Sequence, residues 1–508
     1  MANQVLAVKP KFKKPPKRTS ERMRRVKSRD TTIERAMERM LDELGTEYEK
    51  QPKLYGRPDF AVKNAKVLIF CDSSFWHGRR DKEVSGRAFK RNVEFWTWKI
   101  NENKKRDQRT RRKLRTEGWS VHRFWDTDIA RRPEKVKNRL KRIIERSKKR
   151  ELTAIDLCCG AGGLTLGMKR AGFRVVAGVE IDPEIAKTYR ANHPDVKLII
   201  KDIRKVTGKE ILELSGQKKI DLVAGCPPCQ GFSSLTSKYK RDDPRNELVL
   251  EMSRIVEELE PDMVMMENVS GMASRGKRTL DEFVSRLEAK GYLTNMAVLQ
   301  MADYGVPQSR KRFVLLAGKG FRIDFPPKTH GNECDRKGMA KPWLKLKDAI
   351  GNMGKPVTLS EAMKSGGPRK FNWHVVADLK QISVERLKVL KEGDDRASLP
   401  MTLRPKCHKD SDEGFINVYG RLSWDKVAPT ITSGFTKPAM GRYGHPDELR
   451  TISVREAASI QSFPKHYELD TGTMKTACNL IGNALPPKFA EKAAKACLMA
   501  LFNNKVVW

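Results

Sequence analysis

A chain of 508 residues is long enough for two to four domains with sizeable cores, and its 102 Lys+Arg against 63 Asp+Glu leave a net charge of +39. Solubility needs nothing like this excess, which points to a polyanionic partner held with a steep salt dependence. Nine cysteines without regular spacing make no disulfide framework and fit a reducing, cytoplasmic setting, and no apolar run approaches the ~18 residues of a membrane span.

The charge is concentrated early: residues 1–150 carry 45 Lys+Arg against 20 Asp+Glu, and the other 358 carry 57 against 43. Residues 1–17 have no apolar signal core and read as a flexible basic arm. The stretch from Ser20 to Gly45 is expected to be helical, with apolar positions at Met23, Val26, Ile33, Met37, Met40, Leu41 and Leu44. PDFAV (58–62) and KVLIFCD (66–72) follow as strands joined by a turn at Lys63-Asn64-Ala65. A long basic helix fills roughly 90–117, Gly118 stops it, and WSVHRFWD (119–126) is another strand. The charged run RIIERSKKRELT (142–153) divides the chain, giving a first domain over 18–147, a linker at 148–151 and a second half from 152.

Beyond that point strands and helices alternate: TAIDLC, a helix from about 163, RVVAGVEI, a helix from Pro183, VKLIIKDI, DLVAGC, a helix over 246–259 and DMVMMEN. This order predicts an α/β fold, a doubly wound parallel sheet with ligands at the carboxyl ends of its strands, which RFVLLAG (312–318) is expected to close. Residues 319–420 are rich in Pro, Gly, Lys and Trp with little periodicity, and 421–508 ends in a helix, PPKFAEKAAKACLMALF.

In DLVAGCPPCQGFS (221–233), two prolines stiffen a loop at the end of a buried strand and present Cys229 as a nucleophile. Cys226 and Cys229 also form a C-x-x-C, as a redox pair or half a zinc site would. Pro-Pro does not favour the helix of a redox pair, and the chain has no second C-x-x-C or H-x-x-x-H to complete a zinc site. MVMMENVSG (263–271) places Glu267 and Asn268 at the end of another apolar run, and AIDLCCGAGGLTLGM (154–168) is a strand, a glycine turn and a helix.

In this order the segments resemble the DNA cytosine-5 methyltransferases over most of residues 152–508. The resemblance implies S-adenosylmethionine as cofactor and double-stranded DNA as partner. Cys229 would attack a cytosine flipped out of the duplex, and Glu267 would hold its opposite edge. Asp156, Gly160, Gly162 and Gly163 match the motif that faces the methionine part of the cofactor, although Cys158 stands where the family usually has Phe. Glu180 matches the acid that bonds the ribose hydroxyls, Ile181 flanks the adenine, Asp202 matches the adenine-side acid, and Pro227 belongs to the nucleophile loop. Taken alone, Asp202 reads as a cap or a surface salt bridge. Asp243-Pro244-Arg245-Asn246 matches a segment that normally follows that loop. Gln308, Arg310 and Arg312 match Q-x-R-x-R, whose arginines support the catalytic carboxyl and cytosine pocket; Gly482-Asn483-Ala484 and Pro486 match a last motif lining the cofactor site. Residues 152–318 are then the catalytic domain and 319–420 a small target-recognition region. Arg421 with residues 429–432 organises that region, and 421–508 returns to the cofactor. Lys328, His330, Arg336, Lys345, Arg404, Lys406 and His408 offer donors to bases and phosphates, but no code reads a target from them.

In the first half, GRPDF (56–60) and a strand ending in Asp72 have the layout of PD-(D/E)-x-K nucleases, in which two acids bind Mg²⁺ beside the scissile phosphate. With SRDTTIE (28–34), SSFWHG (73–78), EFWTWKINENKKRD (94–107) and GWSVHRFWD (118–126), this half resembles very-short-patch-repair (Vsr) endonucleases, which nick beside the thymine of T·G mismatches left when 5-methylcytosine deaminates. The resemblance makes Asp59 the principal metal ligand, Asp72 its partner on the second strand, His77 a base or proton shuttle and Glu34 a nearby acid. Phe75, Trp76 and Trp96 become wedges in the duplex, with core packing an equal reading for Trp96. Family members often hold zinc around the FWH segment; Ser74, Arg79, Asp81 and Thr127 occupy those positions here, so no zinc is expected. The expectation is a methyltransferase fused to an endonuclease, with a monomer compatible and no membrane partner. A single-chain restriction–modification enzyme, a first domain that only binds DNA, and methylation of RNA are the alternatives.

Overall fold

The computed structural model describes residues 30–74, 76–77, 79, 92–116, 119–149, 151–228, 247–332, 341–405 and 417–504. The basic arm, the helix expected over 20–29, Phe75, Asp81, Gly118, Cys229, residues 243–246, Arg336, Lys406 and His408 lie outside them. The chain divides between residues 151 and 152 into two compact units. Among the described residues, no helix is long and apolar enough to cross a membrane.

In the first unit a helix, α1 (Thr32–Glu43), begins at a side-chain N-cap, Thr31. Thr31 Oγ1 accepts from Glu34 N–H, and the Glu34 carboxylate takes the Thr31 hydroxyl and the Asp30 N–H in return. Asp30 sits at φ 52°, outside the helical region, so no helix runs through it. Met37, Met40 and Leu41 face the core. A four-stranded sheet follows, in the order β1 (Glu49–Lys50), β2 (Phe60–Val62), β3 (Val67–Asp72) and β4 (Ser120–Trp125). The first three strands are antiparallel neighbours, whereas β3 and β4 are parallel, joined across the long basic helix α2 (Val93–Thr116). That crossover sets Asp72 and Trp125 side by side at the carboxyl edge. Two helices close the unit, α3 (Asp126–Arg131) and α4 (Pro133–Lys149). Val136, Leu140 and Ile144 recur every four residues on the buried face of α4, and this stripe carries the helix to Lys149, into the stretch read as a linker.

The second unit alternates as its sequence predicts: β5 (Thr153–Leu157), α5 (Gly163–Ala171), β6 (Arg174–Glu180), α6 (Pro183–Asn192), β7 (Lys197–Ile200), α7 (Gly208–Ser215), β8 (Leu222–Gly225), α8 (Leu248–Leu259) and β9 (Met263–Val269). These strands are parallel; β5, β6, β8 and β9 are buried on both faces and nearly all apolar, while β7 at the sheet's edge is half-exposed. After α9 (Lys277–Ala289) come β10 (Tyr292–Gln300) and β11 (Lys311–Lys319), both antiparallel, giving the order β10-β11-β9-β8-β5-β6-β7. The strand expected to close the sheet is therefore internal, and β10 is the edge. Leu293, Met296 and Val298 of β10 are exposed, so its sequence lacks the pattern of a buried strand.

Three short helices, α10 (Leu346–Ile350), α11 (Leu359–Lys364) and α12 (Gln381–Val389), lie in the stretch read as target-recognition region. Leu346, Ile350 and Trp373 share one apolar cluster with Leu422, Ile431 and Ile460, so 319–420 is partly built into the same core as 421–508. Two more helices follow α13 (Val454–Ile460): α14 (Met474–Asn483) and α15 (Pro487–Asn504). Helix α15 packs on α5 at Gly167, where an added Cβ would come 2.3 Å from Ala490 Cβ and 2.6 Å from Glu491 N. Ala gains about 1 kcal/mol over Gly in a helix, but overpacking a tight contact costs about 1–3 kcal/mol, and here backbone atoms must move. Gly167→Ala should lower the thermal midpoint; an unchanged or raised midpoint would show that this contact is not close-packed.

Candidate active sites

In the second unit the carboxyl ends of β5, β6, β8 and β9 open into a cavity of about 530 Å³, the size of a small-molecule site. The turn after β5 is left-handed at Cys158, Gly160 and Gly162, with φ of 59°, 53° and 81°. A side chain at Gly162 would meet His193 Nε2 at 2.5 Å, and one at Gly163 would meet Leu485 O at 2.5 Å. Those two glycines are therefore steric necessities. Cys158 lines the cavity in a backbone region that costs a non-glycine residue roughly 1–2 kcal/mol.

Asp156 is fully buried, with Oδ2 accepting from Thr165 N–H (3.0 Å) and Oγ1 (2.7 Å). Its Oδ1 has no partner among the described residues, and burial pushes the carboxyl up to about 7. Glu180, ending β6, accepts from Gly160, Ile181 and Asp182 N–H at 2.9–3.0 Å. Burial raises its carboxyl, and those three N–H groups oppose the rise. Asp202 both lines the cavity and caps the next turn: Arg204 bonds it through guanidinium and N–H, holding it below the usual carboxylate range. Ile181, Ile203 and Leu248 add apolar surface, and Asn483 lines the site from the end of α14. Carboxylates beside apolar walls, with one buried acceptor still free, suit an adenosyl group carrying an amino-acid tail.

At the other end of this cavity stands Glu267, near the end of β9. Its cross-strand partner is Val314, which puts Arg312, two residues away, on the same face. Arg312 Nε lies 3.0 Å from Glu267 Oε1, and both side chains are largely buried. Arg310 does something different. It is buried without a carboxylate partner and donates to the carbonyls of Ile431 (2.9 Å), Gly482 (3.2 Å) and Ala484 (3.2 Å). Gln308 adds a second tie, accepting from Ile431 N–H and donating to Gln461 Oε1. The resemblance gave both arginines to the carboxyl and pocket; the geometry gives Arg312 to the carboxyl and makes Arg310 a brace. Arg421 is also a brace, bonding the carbonyls of Leu387, His445, Pro446 and Glu448. Asn268 Nδ2 donates to Pro227 O at 3.4 Å, tying β9 to the proline loop that leads to Cys229. Cys226 lines the same cavity; burial and the Glu267 carboxylate hold its thiol well above the ordinary value, which disfavours a thiolate for redox or zinc chemistry.

In the first unit the acids gather at the carboxyl ends of β3 and β4. Asp59 Oδ2 accepts from Cys71 N–H at 2.7 Å. Burial, aided by Glu34 and Asp72 and opposed by that N–H, pushes its carboxyl up to about 6. Asp72 is engaged elsewhere: Arg123 Nη1 lies 2.6 Å away and His77 Nε2 3.9 Å. Two residues not foreseen complete the cluster. Asp107 Oδ2 lies 2.5 Å from His77 Nδ1, and Arg123 Nη2 lies 3.1 Å from Asp107 Oδ1. Burial pushes Asp107 up, but His77 and Arg123 outweigh it and hold the carboxyl below its ordinary value. Trp96, Ile100, Asn103 and Asp107 fall on one face of α2, a helical spacing that marks Asp107 as inward-facing. Trp76 and Trp96 have ring centroids 5.5 Å apart. Among the described residues, no group of three or more His, Cys, Asp or Glu is arranged to hold a metal ion, and Asp59 is the less encumbered of the two expected ligands.

Two outcomes follow. Arg310→Lys cannot reach all three carbonyls, and each one orphaned costs about 1–3 kcal/mol; a lower melting temperature and weaker cofactor binding should appear together, and a variant melting like wild type would refute the brace. Were Mg²⁺ held by Asp59, its binding measured by calorimetry would weaken as pH falls through about 6, where Asp59 takes up its proton. In metal-free protein this raised pKa stabilises the fold at acid pH, and that increment is lost as pH rises through about 6. Metal binding indifferent to pH between 5 and 7, or unchanged in Asp59→Asn, would contradict this assignment.

Comparison with known proteins agrees with both halves. Residues 152–499 match the C-5 cytosine-specific DNA methylase model, and residues 12–83 match DNA mismatch endonuclease Vsr. The Type II methylase M.HgiDII of Herpetosiphon aurantiacus is 37% identical over 348 residues, 67% of this chain and 94% of that protein. The Type II methyltransferase M1.HphI of Haemophilus parahaemolyticus is 35% identical over 352 residues, 68% of this chain and 87% of that protein. The crystal structure of a prophage-encoded DNA modification methyltransferase (E. coli) superposes with a TM-score of 0.53 at 24% identity, over 69% of this chain and 99% of that one, a likeness of fold. The chain belongs to the C-5 cytosine-specific DNA methylase family and carries, ahead of the methylase part, a segment that matches the mismatch endonuclease Vsr.

Proposed function

We propose that the second unit transfers a methyl group to C5 of a cytosine flipped out of a short duplex DNA sequence, and that the first unit nicks the T·G mismatches to which that methylation gives rise. The observation that carries the first part is Glu267 held by Arg312 at the end of the cofactor cavity. S-adenosylmethionine supplies an electrophilic methyl group on its sulfonium. Asp156, Glu180, Ile181, Pro227 and Asn483, which line the cavity, would hold it. Cys229 adds to C6 of the ring, which makes C5 nucleophilic, and Glu267 hydrogen-bonds N3 to draw off the charge that develops. C5 takes the methyl group from the sulfonium, which is left as a neutral thioether; C5 then gives its proton to a base from solvent, the C5–C6 double bond re-forms and the Cys229 thiolate is expelled.

For the first unit, Asp59 would hold Mg²⁺, which would supply positive charge at a phosphate, and His77, oriented by Asp107, would take the proton of an attacking water. The basic helix α2 supplies phosphate contacts. Joining the two activities in one chain raises their effective concentration at the same sequence.

Bisulfite sequencing of DNA from cells expressing the chain should show protected cytosines at one short sequence, and Glu267→Gln should cut the rate by about 10²–10⁴-fold. Absence of protection, or full activity of Glu267→Gln, would defeat the methylation reading. On duplexes, Mg²⁺-dependent nicking should favour T·G over matched pairs and vanish in Asp59→Ala. Equal cutting of both would remove the repair coupling, and cutting blocked by methylation would make the chain a restriction enzyme.

A further inference from the structure

His77 reaches Asp107 from a segment that leaves β3 and is pinned at three points. Ser74 N–H donates to Asp126 Oδ1 at 2.9 Å. The Trp76 carbonyl accepts from Asn103 Nδ2 at 2.9 Å. Arg79 donates to Thr127 Oγ1 at 2.7 Å and pairs with Asp128 at 2.9 Å, its guanidinium 5.6 Å over the Trp125 ring. Two of these three pins end on the junction of β4 and α3, where Asp126 Oδ1 also accepts from Thr127 N–H. His77 lies between the second and third pins, its Nδ1 against Asp107.

In the resembled endonucleases zinc often sits at this segment. Ser74, Arg79 and Thr127 do not fit such an ion: two are hydroxyls, and the third is a cation with no lone pair to offer. Asp81 lies outside the described residues. A guanidinium, by contrast, fits its actual partners, since its planar fork meets a hydroxyl and a carboxylate at once in a fixed geometry.

We infer that the clasp of Arg79 on Thr127 and Asp128 takes the place of a structural metal, making Arg79 the positioning residue that keeps the His77 imidazole on Asp107. The inference rests on the endonuclease reading for its effect on catalysis, but not for its effect on His77. Arg79 touches neither acid of the candidate nuclease site. Its influence passes through the short segment it shares with His77, and a lysine, whose ammonium lacks the planar fork, would not fix both acceptors in the same rigid geometry.

The test uses the full chain as wild type, Arg79→Ala and Arg79→Lys. Misplacing a catalytic group by about 1 Å costs on the order of a hundredfold in rate. Arg79→Ala should therefore lower kcat for Mg²⁺-dependent nicking of a T·G duplex by about ten- to a hundredfold. KM for the duplex should stay unchanged, Arg79→Lys should restore little, and DNA methylation should be unaffected. In histidine-labelled protein, the exchange-protected Nδ1 proton of His77 should be visible in wild type and lost in Arg79→Ala. A zinc-selective chelator, with Mg²⁺ in excess, should leave wild-type nicking intact. Wild-type nicking by Arg79→Ala would overturn the proposal, as would chelator inhibition that zinc reverses. If the wild type nicks nothing, the endonuclease reading fails on its own, and the His77 proton still decides: retained in Arg79→Ala it overturns the clasp, lost it upholds it.

Discussion

The catalytic end of the second unit depends on the buried guanidinium of Arg310, which hydrogen-bonds no carboxylate among the described residues although the Glu267 charge acts on it. Arg310 is taken out of water and bonded only to carbonyls, two of them more than 170 residues further along the chain. Burying a cation in this way is expensive and is tolerable only when its donors are well used. What the expense provides is position. Residues 482–484, which line the cofactor cavity, are fastened to the same short stretch from which Arg312 reaches Glu267. The methyl donor's wall and the carboxyl proposed to hold the base are thereby set by neighbouring residues of one strand and its entry.

The first unit uses an arginine to the opposite effect. Arg123 lies between two carboxylates, Asp72 and Asp107, and neutralises charge that would otherwise crowd the end of the sheet. Asp59 has no such ion pair among the described residues, and burial, with Glu34 and Asp72 near, raises its carboxyl despite the Cys71 N–H and Arg123. In the second unit Glu180 and Glu267 stand at or near the carboxyl ends of parallel strands, and in the first unit Asp72 ends β3 while Asp59 and Asp107 reach it from just before β2 and from α2.

Much of this was legible in the sequence, for identifiable reasons. Parallel strands buried on both faces are continuous apolar runs, so β5, β6, β8 and β9 announce themselves, as does the Pro-capped start of α6. The edge strand β10 does not, because half of it faces solvent. The linker was misjudged because charge dominates residues 142–149 while three apolar residues every fourth position decide the helix. Arg310 and Arg312 look equivalent as letters, but β11 starts at Lys311, so only Arg312 obeys the alternation that points toward Glu267. Asp107 and Arg123 form one network with Asp72 across separations of 16 and 51 residues, which only the fold brings together.

In the reaction proposed for the second unit, its placements serve one chemical event, attack of the Cys229 sulfur on a pyrimidine. The direct measurement is trapping on a duplex whose target cytosine carries fluorine at C5, where the proton that must leave has no equivalent. Incubated with S-adenosylmethionine, the wild-type chain should form a protein–DNA adduct that survives denaturation, and Cys229→Ser should form none. A wild type that never becomes attached, or a Cys229→Ser variant that is trapped as readily, would contradict the account.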